Sequence, residues 1–153
     1  NFENVRLPKS ALLGDESFDY VKFMDHGSLG WCALAVGCAE AVLDYVIPYC
    51  NERQAFGEPI SHRQAVAFMI ANIAIELESM RMLAYRAANR ADLGLDWHRE
   101  AFLARTLAMD KAMEIGSNGV QLLGGHGFTK EHPVERWYRD LRAVAVMHGG
   151  LHL

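Results

Sequence analysis

The chain has 153 residues, 51% of them hydrophobic and 22% charged, which suits one globular domain with a real core. Its formal charge of -4 argues against a nucleic-acid partner, which calls for a basic stripe, but leaves room for a polyanionic small molecule. There is no unbroken apolar run of about 18 residues, so no membrane span is expected.

Asn1 to Pro8 alternates apolar and polar side chains and predicts a strand. A lone strand leaves its backbone groups unmet, so the chain is expected to be a fragment of something longer. Turn residues Leu12 to Asp15 close that opening, and from Glu16 the pattern is helical. A short segment from Phe18 to Met24 precedes an expected breaker at His26-Gly27-Ser28, with Ser28 capping a long helix. That helix carries Trp31, Leu34, Ala35, Cys38, Val42 and Tyr45, and Pro48 should kink it without ending it. Gly57 and Pro59 mark a tight loop.

Ser61, with Gln64 three residues on, predicts a capping box for the next helix. Its stripe of Val66, Met69, Ile70, Ile73, Leu77 and Met80 runs to about Asp92 and ends at Gly94. A third helix is expected from Trp97 to Leu123, with Phe102, Leu107, Ala112 and Ile115 on its stripe, stopping at Gly124-Gly125-His126-Gly127. Pro133 opens a short helix through Arg142. Such helices cannot bury their stripes alone, so the predicted fold is all-α, an antiparallel helical bundle.

Cys32, Cys38 and Cys50 are odd in number and share one helical stretch, which points away from a disulfide framework and towards a reducing compartment, the cytoplasm or a mitochondrial matrix. The seven histidines are scattered without HExxH or paired-cysteine spacing, so no metal site is expected.

Three clusters carry the chemistry. Asn51 to Ile60 joins a helix end, the Arg53 guanidinium, the Phe56 ring and a turn. Arg53 either supports the helix C-terminus or holds an anion, and Phe56 is either a core plug or a ligand contact. Gln121 to Phe128 is a glycine-rich helix exit whose backbone can approach a bound group, although the glycine order is not that of a dinucleotide fingerprint. Here His126 reads as a loop residue. Pro133 to Arg142 reads as a short amphipathic helix with internal ion pairs.

In this order and spacing, the three clusters together resemble the acyl-CoA dehydrogenase family. The resemblance implies that residues 1–14 end a middle β-domain and that 15–153 form the C-terminal helical domain. It implies FAD as cofactor, held by Arg53, Phe56, Gln64, Gln121, Leu122, Gly124 and Gly125, with Arg53, Gln64 and the stretch from Gln121 to Gly125 reaching the FAD of a neighbouring subunit. It further implies an acyl-CoA substrate touched by Asp25, an electron-transfer flavoprotein as acceptor, and a homo- or hetero-oligomer. The chemistry implied is removal of an α-proton by a carboxylate while the β-hydrogen leaves as hydride to the flavin.

Two departures from the family pattern matter. The usual glutamate base, nine residues past Arg139, is here His148, and the alternative glutamate position falls on Gly27. An imidazole can accept a proton at neutral pH, so His148 is either the base or a residue of an altered pocket. The arginine that usually follows is Ser28. A non-catalytic partner subunit and a flavin monooxygenase on the same fold are therefore the competing expectations.

Overall fold

The computed structural model describes residues 1–12, 14–15 and 17–147. Four helices make the bundle: α1 (Tyr20–Glu52), α2 (Gln64–Asp92), α3 (His98–Leu123) and α4 (Val134–Val144). The predicted all-α bundle is the observed one. Residues 1–8 pair with no strand, because the described residues offer that segment no partner edge.

The largest departure from expectation is at the front of α1. His26-Gly27-Ser28 does not break it: the helix starts eight residues before Ser28, capped by Asp19, whose side chain accepts the Lys22 N–H at 2.9 Å. A single glycine costs a helix only about 1 kcal/mol, which the packing of a 33-residue helix outweighs. The helix also continues through Pro48 to Glu52. Ser61 caps nothing; it lies in a 3-10 turn (Ile60–His62), and α2 starts after Arg63 without a side-chain cap.

Helix directions follow from cross-links. Glu40 of α1 meets Arg81 of α2 at 3.1 Å, and Glu76 of α2 meets Lys111 of α3 at 3.2 Å. Asp25 meets His98 near the starts of α1 and α3, and Val42 faces Gly119 farther along both. Thus α1 and α3 run parallel, with α2 antiparallel to both. Gly119 lets α1 and α3 approach closely, since a Cβ there would sit 2.7 Å from Val42 Cγ1.

The core holds Val42, Val46, Cys50, Ile73, Met80, Ile115 and Leu141, all essentially without exposure. Leu34 and Phe102, placed on buried stripes by the periodicity, are instead exposed, because Ala35 and Ala101 next to them turn inward. By length and composition alone α1 could cross a bilayer, with an 18-residue window of mean hydropathy 1.5. Its apolar face packs on the other helices of the bundle.

Candidate functional site

A groove of about 750 Å³ lies where the C-terminal end of α1 meets the exit of α3. One wall is a hairpin of β1 (Gln54–Ala55) and β2 (Glu58–Pro59), paired Gln54 to Pro59 and Ala55 to Glu58. Its two turn residues, Phe56 and Gly57, both have positive φ (55° and 85°), as a two-residue turn that follows the strand twist requires. That turn puts Phe56 94% into solvent, so it is no core plug, and the Arg63 guanidinium lies 5.5 Å from its ring centroid. Arg53 caps α1, its backbone N–H bonded to Tyr49 O at 2.9 Å. Among the described residues its guanidinium has no ion-pair or hydrogen-bond partner.

The other wall is Gln121, Leu122, Leu123 and a 3-10 turn, Gly124–Phe128. Gly124 has φ 59° and ψ -135°, a conformation that side-chain-bearing residues avoid. Its N–H is not free for a ligand, because it bonds Gln121 O. A Cβ on Gly124 or Gly125 would meet nothing within 4 Å, so this edge is open to a ligand. Arg53, Phe56, Gln121, Leu122, Gly124 and Gly125 therefore share one groove, although nearly seventy residues separate the two groups in sequence. Gln64 does not line it; it is exposed at the first residue of α2.

Tyr49, Arg63 and His126 also line the groove, unforeseen from the sequence. Tyr49 Oη and His126 Nδ1 share a 2.9 Å hydrogen bond, and one turn earlier on α1 Tyr45 Oη and His132 Nδ1 share one of 2.8 Å. The two imidazoles stack, 5.6 Å apart and 20° from parallel. The Tyr45–Tyr49 spacing of four was visible as one helix face, but nothing in the sequence tied it to the histidines.

Asp25 lies elsewhere. It is buried at the α1–α3 junction, and His98 Nδ1 is 2.9 Å from both its carboxylate oxygens. A smaller recess of about 350 Å³ with Asp19, Lys22, Asp96 and Trp97 opens beside it. His148 falls outside the described residues. The residue before it, Met147, presents its carbonyl to Nη2 of buried Arg105 at 2.6 Å. Among the described residues no three or more His, Cys, Asp or Glu side chains gather as a metal site.

Fold and groove together define a helical bundle with an open groove at the end where α1 and α3 meet. Residues 20–151 match the family model described as acyl-CoA dehydrogenase, C-terminal domain, and the chain belongs to that family. It is 38% identical to the bovine mitochondrial short-chain specific acyl-CoA dehydrogenase over 151 residues, covering 97% of this chain and 37% of that protein. It is 39% identical to the caffeyl-CoA reductase-Etf complex subunit CarC of Acetobacterium woodii over 150 residues, covering 96% and 40%. The structure of butyryl-CoA dehydrogenase from Megasphaera elsdenii superposes with a TM-score of 0.85 at 32% identity, covering 97% of this chain and 39% of that one. The chain thus spans about two fifths of the length of the proteins it matches.

Proposed function

We propose that the chain is the C-terminal helical domain of an FAD-dependent acyl-CoA dehydrogenase-type oxidoreductase that introduces an α,β double bond into an acyl-CoA thioester. The observation that carries this reading is the convergence of Arg53 and Phe56 with Gln121, Leu122, Gly124 and Gly125 on one groove. The donor set fits part of a dinucleotide: an unpaired guanidinium for a pyrophosphate, apolar walls for a flat ring, and an open glycine edge for close approach. Bound FAD would supply the hydride acceptor.

In this reading Arg53 holds the pyrophosphate as a rigid fork of donors, Phe56 packs on the cofactor, and Gln121 to Gly125 hold the adenosine part. Gln64 lies outside the groove of its own chain and would reach a cofactor bound by a neighbouring subunit. Residues 1–14 would belong to the β-domain that supplies the remaining walls. Asp25 would meet the acyl-CoA with a carboxylate that His98 already engages. His148 would stand where a base is needed, and an electron-transfer flavoprotein would reoxidise the flavin.

A second reading, a partner subunit that lends its groove to a neighbour's flavin without its own base, is favoured by the absence of a carboxylate at both Gly27 and His148. The test is the purified full-length protein. Bound FAD whose oxidised absorbance bleaches on anaerobic addition of an acyl-CoA supports the first reading. FAD that binds without bleaching, or only in complex with a related subunit that retains the glutamate, supports the second, and failure to bind FAD both alone and with such a subunit defeats both.

A further inference from the structure

The glycine edge of the groove poses a physical problem. Gly124, Gly125 and Gly127 lie within four residues, and glycine loses more conformational freedom on ordering than any other residue. A ligand held there would have to bear that cost at binding unless the fold has met it beforehand.

Two tyrosine–histidine rungs meet it. Tyr45 and Tyr49 lie four residues apart on α1; Tyr49 bonds His126, inside the glycine turn, and Tyr45 bonds His132, in the loop into α4. The stacked imidazoles link the rungs, and the Tyr49 and His132 rings meet edge to face at 5.7 Å. Tyr45 also packs edge-on against Trp137 of α4 at 5.8 Å. One brace therefore ties the end of α1, which carries Arg53, to the turn that carries Gly124 and Gly125. These are the two walls of the groove.

We infer that the Tyr49–His126 hydrogen bond, backed by Tyr45–His132, is a positioning device that preorganises the groove for the adenosine diphosphate part of a dinucleotide. The inference rests on the proposed FAD reading and adds to it two residues, Tyr49 and His126, that hold the walls without having to touch the cofactor. Loss of one net hydrogen bond then shows as loss of affinity.

The test uses the full-length protein stripped of flavin, titrated separately with FAD and with ADP, alongside apoprotein melting. Tyr49→Phe and His126→Phe keep an aromatic ring but remove the bond; each should weaken both ligands about three- to tenfold. The double variant should be no worse than either single one, because both remove the same interaction. His126→Asn, which can place a polar atom near the lost Nδ1, should recover part of the affinity. Tyr45→Phe, one turn farther from the groove, should have a smaller effect and serves as a second probe should His126→Phe fail to fold.

Unchanged dissociation constants in Tyr49→Phe overturn the inference. So does a drop in apoprotein melting temperature with no change in affinity, since the rungs would then serve the fold alone. Failure of the unsubstituted apoprotein to bind either FAD or ADP is a different result: it removes the functional reading itself.

Discussion

His98 Nδ1 lies 2.9 Å from both carboxylate oxygens of Asp25, so the first turns of α1 and α3 are joined by one imidazole clasping one buried carboxylate. Trp97 beside it meets the His26 ring edge-on at 4.8 Å, which brings a second α1 side chain to the same junction. The glycine and serine that follow in α1 are tolerated as helix because this end is anchored from outside.

Removing His98 leaves a mostly buried carboxylate short of a partner. His98→Ala and Asp25→Asn should each destabilise the protein by about 1 kcal/mol, with a coupling of similar size in a double-mutant cycle by chemical denaturation. Additive effects would show that the clasp contributes nothing.

The glycines of the α3 exit should differ sharply. A Cβ on Gly127 would run into the backbone carbonyl of Val120, and Gly127→Ala should cost about 3 kcal/mol or prevent folding. Gly124→Ala, strained by φ 59°, should cost about 1–2 kcal/mol. Gly125→Ala meets open space and should melt like the parent protein while weakening FAD binding. Melting curves of the three variants check the order.

Arg105 is buried with one bond, to the Met147 carbonyl, while its Nη1 has no partner among the described residues. Burial pulls its guanidinium below the usual arginine value, as expected for a desolvated charge with no carboxylate paired to it among the described residues. Arg105→Met should therefore leave stability unchanged or raise it by about 1 kcal/mol, whereas Arg105→Ala should lower it by about 2 kcal/mol through the cavity left behind. A Met variant as unstable as the Ala variant would show that the Met147 bond dominates.

The thiols give a pH signature. Burial pushes Cys32 and Cys38 up to about 11 from an ordinary 9.0. The folded state therefore keeps these protons where the unfolded chain has released them. Their contribution to stability is whole below pH 9 and is lost as pH rises towards 11. At neutral pH neither should react with a thiol-alkylating reagent unless denaturant is present, and Cys32→Ala should flatten the alkaline loss seen in denaturation measured from pH 8 to about 11.

Much of the fold was legible from local chemistry. The end of α2 near Asp92, the span of α3 and the short α4 follow from apolar spacing and from glycine and proline positions. The groove residues Arg53, Phe56, Gln121, Leu122, Gly124 and Gly125 were readable as two separate clusters. Where reading failed, a local rule met a tertiary force. Gly27 and Ser28 look like a helix start, yet α1 runs through them because its first turns are held by α3. Ser61 looks like a cap, yet the hairpin before it delays the helix to Gln64.

Periodicity and turn chemistry are properties of neighbours in sequence, so the sequence alone determined the helical class, the turns at Gly57, Gly94 and Gly124, and part of the groove's border. Distance between remote side chains depends on how α1, α2 and α3 pack, and no local pattern encodes it. Only the tertiary structure decided that Arg53 and Gly124 line one groove, that Asp25 belongs to His98, and that two tyrosines reach two histidines more than seventy-five residues away.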